Sequence, residues 1–234
     1  MIGHNGGLIG SQNIYGYDNS KYALRSGVRT LSENIDGPLT APGLAGKFFN
    51  GSWRTTIANG NIGTLPLTTT NDSSNVTGTG GLPSADHRFG VNLWPSIAYT
   101  NLGNTYGFIA IGYFLPPTTG TYTIFTSSDD GSGVWIGDLA LPEAVRTSGN
   151  ATLSNGLGVG QGQVNTKRSA TTSLSQGVIY PIRIVHEEGS GDDNLTFSWS
   201  GPGIGETTDL LTYFRTPIKR NGQLAGNYFF RSSN

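Results

Sequence analysis

Residues Gly112 to Leu141 read GYFLPPTTGTYTIFTSSDDGSGVWIGDLAL, two apolar strand-like runs on either side of an acidic, glycine-rich bend. Tyr122 and Ile124 alternate with Thr121 and Thr123, the two-residue period of a half-buried strand, and Val134 to Ile136 resumes that period beyond the bend. Pro116-Pro117 and Gly120 punctuate the entry, because proline fixes φ and glycine supplies the positive φ of a tight turn. The spacing predicts a rigid hairpin that holds two adjacent carboxylates, Asp129 and Asp130, at a strand end.

The neighbouring runs extend the same reading. In Tyr106 to Leu115, Phe108 and Phe114 oppose Ile109, Ile111, Tyr113 and Leu115, so both faces are apolar and a central strand buried on both sides is expected. Val178 to Glu187 is a further strand, and Pro181, which has no N–H to give to a ladder, places it at a sheet edge or a bulge. Leu195, Phe197 and Trp199 alternate with Thr196 and Ser198, a strand with one wet face. Polar, glycine-rich stretches at residues 55–86 and 148–166 separate these runs, and no amphipathic helix of useful length is present. The expected fold is all-β, a two-sheet antiparallel β-sandwich with long polar loops and an extended N-terminal arm.

Three segments follow. Residues 1–41 are rich in Gly, Asn and Ser with scattered Tyr and Leu, a composition for an arm that docks on an assembly rather than one that builds its own core. Residues 42–216 are the sandwich. Residues 217–234 form a C-terminal tail or strand, in which Leu224-Ala225-Gly226-Asn227-Tyr228-Phe229 repeats Leu44-Ala45-Gly46-Lys47-Phe48-Phe49 almost position for position.

Composition removes several functions. Of 234 residues 12% are charged and the formal net charge is −1, so the clustered Lys and Arg that phosphate binding needs are missing and no nucleic-acid partner is expected. No cysteine is present, which excludes disulfides and thiol chemistry. The opening MIGHNGGLIG has neither a basic region nor a continuous apolar one, and is not read as a signal peptide. No run reaches the roughly 18 apolar residues of a membrane-spanning helix. A chain acting outside a cell without a leader fits a particle released by lysis, and a virion or extracellular surface is the expected location.

The quoted stretch also resembles the core signature of the GLEYA and protective-antigen (PA-fourteen) β-sandwich family: a GYF-like strand, a Gly-x-Tyr-x-Phe strand, an Asp-Asp pair and a Trp-Ile-Gly strand. Gly43 to Asn50 resembles the opening strand of that family, and Gly177 to Ile184, with Tyr180-Pro181-Ile182-Arg183-Ile184, resembles its later strand, closed by Phe197-Ser198-Trp199. The match spans about residues 42 to 200. It implies a sandwich that commonly binds carbohydrate or serves as an adhesive or spacer module.

The Asp-Asp pair also has a reading of its own. Adjacent carboxylates repel, and adjacent side chains on a strand point to opposite faces, so converging them needs an irregular backbone, such as a non-proline cis peptide. A hard cation such as Ca²⁺, which takes six to eight oxygen ligands, offsets that repulsion. A plain Asp-Asp-Gly turn is the other reading. The family resemblance implies a Ca²⁺ site of two loops, and its residues fall here on Asp129 and Asp130, on Glu188 where the family has Asn, and on backbone carbonyls near Ser190 and Asp192. Glu187, Glu188, Asp192 and Asp193 make the second loop acidic as well, so Asp129, Asp130, Glu187 and Glu188 are the candidate ligand-binding set.

Other chemistry has less support. His4, His87 and His186 lack a zinc-binding spacing, and His186 shares the parity of Ile182 and Ile184, which makes it a core or edge histidine. There is no Gly-x-Ser-x-Gly elbow, and the chain is not expected to be an enzyme. Trp53 and Trp94 are candidate exposed sugar platforms, whereas Trp135 and Trp199 fit the core. The expected function is a virion-associated or surface module that binds cell-surface glycan with Ca²⁺ support; the alternative is a purely structural phage capsid-decoration or tail component. In either case residues 1–41 are expected to contact other virion subunits in an oligomeric assembly, a floppy terminus being the other reading of that segment.

Overall fold

The computed structural model describes residues 24–25, 28–30, 40–51, 74–89, 91–141, 144–158 and 166–217. Its first strands are β1 (Leu24–Arg25), β2 (Val28–Thr30), β3 (Thr40–Pro42), β4 (Leu44–Asn50), β5 (Asn92–Trp94), β6 (Ala98–Thr100), β7 (Tyr106–Phe114) and β8 (Gly120–Asp129). They are followed by β9 (Gly131–Ile136), β10 (Leu153–Asn155), β11 (Thr166–Leu174), β12 (Val178–Glu188), β13 (Asn194–Gly201), β14 (Ile204–Thr207) and β15 (Phe214–Pro217). All described pairings between them are antiparallel. The all-β sandwich expected from the two-residue periods is the fold observed.

The larger sheet is built on β7 and β12, which pair from Tyr180↔Phe114 to Glu188↔Tyr106. Beyond β12 lies β9, then β10; beyond β7 lie β4 and β15. The smaller sheet runs β11-β8-β13, with β6 and β14 along the far side of β13. Part of the expected arm belongs to the large sheet, since Val178↔Thr30 and Ile179↔Arg29 join β2 to β12. The rest of residues 1–39 lies outside the described residues, as do residues 52–73 with Trp53 and the Leu224–Phe229 repeat.

Two sequence expectations change. The acidic bend is not the tip of a hairpin: β8 pairs with β11 and β13 in the small sheet, whereas β9 pairs with β12 and β10 in the large one, so the chain changes sheets at Asp129-Asp130. And β12 is a central strand, although it contains Pro181. The Gly137 N–H donates to the Pro181 carbonyl at 2.9 Å, just beyond the last β9 pair, Ile182↔Ile136. Because N–H and C=O of one strand residue point to the same side, the proline nitrogen faces Gly137 at the very end of the β9 ladder. Its missing donor removes at most that terminal bond, and the pairs from Ile182 onward are untouched.

Between the sheets lies an aromatic core. Phe48 meets Trp94, Tyr99, Tyr106 and Phe108 at centroid distances of 4.8–5.8 Å, and Phe114 meets Tyr122, Trp199 and Phe214 at 4.6–5.3 Å. These rings stand on the faces that the period assigns inward, with Ile124, Leu195 and Phe197 beside them. The outer face of the large sheet is apolar too. Ile109, Ile111, Tyr113, Val185 and Trp135 are buried there with Ala140 and Leu157 of the 137–158 segment, which explains why β7 is apolar on both sides.

Packing at Gly46 shows how tightly the aromatic end is filled: a Cβ there would lie 2.5 Å from Trp94 Cδ1 and Nε1 and 2.9 Å from Phe108 Cζ. Both rings are fully buried and unable to swing away. Gly46→Ala is expected to cost about 1–3 kcal/mol of stability, the usual range for overpacking a core, measured as a lower urea midpoint with an unchanged m-value.

Candidate functional site

The site grows out of the sheet change. Asp129 ends β8 opposite Asn194 of the small sheet, and Gly131 opens β9 opposite Glu187 of the large one. The peptide between Asp129 and Asp130 is cis. Both residues are nearly fully buried, so the polar groups of this peptide need protein partners. The Asp130 N–H donates to Glu188 Oε2 at 3.2 Å, and the Asp129 carbonyl lies 3.0 Å from His186 Nε2. His186 and Glu188, two apart on β12, share its inward face and hold the two ends of one peptide.

A carbonyl oxygen only accepts, so His186 Nε2 carries the hydrogen; in the neutral ring Nδ1 then accepts from the Tyr99 hydroxyl at 2.9 Å. Burial pushes the imidazole pKa down to about 4, which keeps it neutral. The core-histidine reading of the sequence is therefore correct, and its hydrogen bonds reach the acidic bend.

The predicted ligand set separates into groups. Asp130 and Glu188 come together: besides the contact to Glu188, Asp130 Oδ2 accepts from the Gly189 N–H at 2.9 Å. Glu188 Oε1 is buried and has no hydrogen-bond partner. Burial first, then the nearby charges of Asp130 and Asp193, push the Glu188 carboxyl up to about 8. Glu187 points to the other face of β12, where its Oε1 accepts from the Gly158 N–H at 2.7 Å. A Cβ on Gly131 would lie 2.6 Å from that same oxygen and 2.7 Å from the Gly156 carbonyl, which is why glycine follows the two aspartates. Ser190 and Asp192 are exposed in the loop after β12.

Asp193 has a different task. Its carboxylate accepts from the Leu102 N–H at 2.8 and 2.9 Å and from the Gly103 N–H at 2.7 Å. Thr105 donates through N–H and hydroxyl to the Gly189 carbonyl at 2.8 and 2.9 Å, and the Gly191 N–H donates to Asn104 Oδ1 at 3.0 Å. A third loop, residues 101–105, is thereby fastened to the second acidic loop. Sequence reasoning missed it; the signal available was only its Asn-x-Gly-Asn turn chemistry, because every one of these bonds uses backbone on at least one side. Below the bend, between the sheets, Ser128 Oγ and Ser132 Oγ lie 2.8 Å apart, the Ser132 hydroxyl donates to Thr126 Oγ1 at 3.0 Å, and the Asn155 amide donates to the Thr166 carbonyl at 2.7 Å.

Of the aromatic sugar platforms considered, Trp94 is fully buried, as are Trp135 and Trp199. Phe89, 48% exposed with the Arg88 guanidinium 5.1 Å above it, is the open ring among the described residues. Among the described residues, no group of three or more His, Cys, Asp or Glu side chains is arranged to hold a metal by itself, and no helix is long and apolar enough to cross a membrane.

Comparison with known proteins gives the arrangement its context. The GLEYA domain family model matches residues 106–201, from the start of β7 to the end of β13. The sandwich is GLEYA-like. The chain is similar to the epithelial adhesin 9 A domain of Candida glabrata, solved with Galb1-4GlcNAc, at a TM-score of 0.51 and 14% identity, over 85% of this chain and 98% of that one. It is similar to the epithelial adhesin 6 A domain of the same organism, solved with Galb1-3GlcNAc, at a TM-score of 0.50 and 18% identity, over 82% and 94%. The PA14 domain of the antifreeze protein MpAFP aligns at a TM-score of 0.44 and 16% identity, over 79% and 96%. No curated protein matches the chain. At these identities the likeness is one of fold alone, shared with the two adhesin A domains.

The shifted Glu188 makes stability depend on pH. Its folded value near 8 lies above the ordinary carboxylate value, so its contribution is complete below about pH 4.5 and is lost as pH rises towards 8. In a chelating buffer between pH 6.5 and 8, where an ordinary histidine is already mostly neutral, the unfolding free energy is expected to fall by up to about 1.4 kcal/mol per pH unit. Urea titrations of Glu188→Gln should show that slope removed.

Proposed function

We propose that this chain is a non-catalytic surface module that binds carbohydrate at the loop end of the sandwich, with Ca²⁺ held by the Asp129, Asp130 and Glu188 carboxylates. The observation that carries this reading is Glu188: a buried carboxylate beside Asp130, with one oxygen on the Asp130 N–H and the other without a hydrogen-bond partner. A buried carboxylate oxygen without a donor is costly unless a proton or a cation meets it. Carboxylate oxygens suit a hard cation, and backbone carbonyls and water complete such a shell, so a ready-made cage of acidic side chains is not required. Ca²⁺, when bound, supplies a centre of positive charge that takes oxygen ligands, hydroxyls of a sugar among them.

The chain's own residues do the rest. The peptide held by His186 and Glu188 fixes where the two aspartates start, Gly189 orients Asp130, and Asp193 fastens loop 101–105 against the second acidic loop. The GLEYA-like fold, shared with adhesin domains solved with galactose-containing disaccharides, supports carbohydrate as the ligand class.

Calorimetric titration with CaCl₂ is expected to give a saturable heat for the wild type and none for Asp130→Ala. At a hundredfold excess over Kd the ion should stabilise the fold by about 2.7 kcal/mol. A wild type that gives neither heat nor stabilisation rules the metal out. On a glycan array, binding that disappears with chelator supports the reading, whereas no binding with Ca²⁺ present leaves a structural role in an assembly.

A further inference from the structure

The hydrogen bonds of His186 point past the core to the acidic bend. Its Nε2 meets the carbonyl of the peptide that joins Asp129 to Asp130, at 3.0 Å, and its Nδ1 meets the Tyr99 hydroxyl at 2.9 Å. Tyr99 belongs to β6 of the small sheet and His186 to β12 of the large one. Both are buried, and their rings pack at a centroid distance of 5.7 Å. The chain of donors therefore runs in one direction, Tyr99 O–H to Nδ1 and Nε2–H to the Asp129 carbonyl, and spans the two sheets where the backbone passes between them.

We propose that His186 is the positioning residue of the cation site: through Nε2–H it fixes the plane of the Asp129-Asp130 peptide, and with it the directions in which the two carboxylates leave the backbone. This rests on the reading of that bend as a Ca²⁺ site. The Asp130 N–H is held by Glu188, and the other polar end of the peptide is held by His186, so the peptide has no remaining freedom to rotate without breaking one of the two. Rotation of that plane would turn Asp129 and Asp130 together. Tyr99 acts one step further out: its hydroxyl donates to Nδ1 and so holds the ring orientation in which Nε2–H meets the Asp129 carbonyl. His186 touches no ligand.

The two amide side chains separate the ring nitrogens. Glutamine places its amide near Nε2 and retains a donor for the Asp129 carbonyl; asparagine reaches only the Nδ1 position and retains the Tyr99 contact alone. Each full-length variant is titrated with CaCl₂ by calorimetry and unfolded with urea in chelator. His186→Gln is expected to bind Ca²⁺ within about threefold of wild type, and His186→Asn at least tenfold more weakly, in an order that does not follow their stabilities in urea. Tyr99→Phe, which removes the hydroxyl but keeps the ring, should fall between them. Equal Ca²⁺ affinity of folded His186→Gln and His186→Asn overturns the positioning role, as does weakening that follows urea stability across the three variants. A wild type that binds no Ca²⁺ overturns the underlying site reading instead, so the two failures are distinct. If His186→Asn does not fold, Tyr99→Phe and His186→Gln decide: affinity unchanged in Tyr99→Phe and reduced tenfold in His186→Gln is incompatible with the proposal.

Discussion

A chain that passes from one sheet of a sandwich to the other must bury a stretch of backbone that belongs to neither ladder. Here that stretch is one peptide, Asp129-Asp130, and its hydrogen bonds come from a single strand. β12 is suited to this because it is central: β7 fixes its register on one side and β9 on the other. A slip by one residue would bring Val185 and Glu187 to the inward face in place of His186 and Glu188, and both ends of the peptide would lose their partners. Burial of Ile182 and Ile184 on the same face makes the slip costly by itself. The aromatic core thus holds the register, and the register holds the bend.

The acidic residues around the bend divide by how their charge is met. Asp193 sits among the backbone N–H groups of Leu102 and Gly103, which favour the charged form and offset the burial that pushes its carboxyl up. Glu187 is directed to Gly158 on the opposite face. Glu188 receives one N–H and faces Asp130, Asp193 and Asp129, and its carboxyl is pushed up furthest into the physiological range. Two of the acidic side chains therefore serve the architecture of the loops, and Glu188 keeps an oxygen, Oε1, without a donor beside the Asp130 carboxylate.

The strands were legible because alternation reports which face a residue occupies. Leu195, Phe197 and Trp199 read as inward and are buried; Tyr106 to Phe114 read as buried on both faces and are. Alternation does not report which sheet a strand joins, so β8 and β9 looked like a hairpin. Nor does it show where a ladder ends, so Pro181 suggested an edge. The division of Glu187 from Glu188 was within reach, since adjacent strand residues point to opposite faces. The three-loop arrangement was not. Its bonds run from Asp193, Thr105 and Asn104 to backbone groups that any sequence carries, and only the folded chain brings those groups together.

Glutamate at position 188, where the resemblance implies asparagine, alters what the bend can do. An asparagine amide carries no charge at any pH, so the electrostatics of such a site are set by its aspartates alone. Glu188 adds a carboxyl whose proton affinity is raised by burial first and then by the nearby charges of Asp130, Asp193 and Asp129. A metal ligand of this kind must lose its proton, and cation and proton then compete for one oxygen near neutral pH. In the proposed Ca²⁺ site, cation affinity would therefore rise with pH through the range in which an asparagine-bearing site would stay level. The longer side chain also reaches the Asp130 N–H with Oε2 while leaving Oε1 without a donor, so a single residue both holds the backbone of the bend and offers it an oxygen.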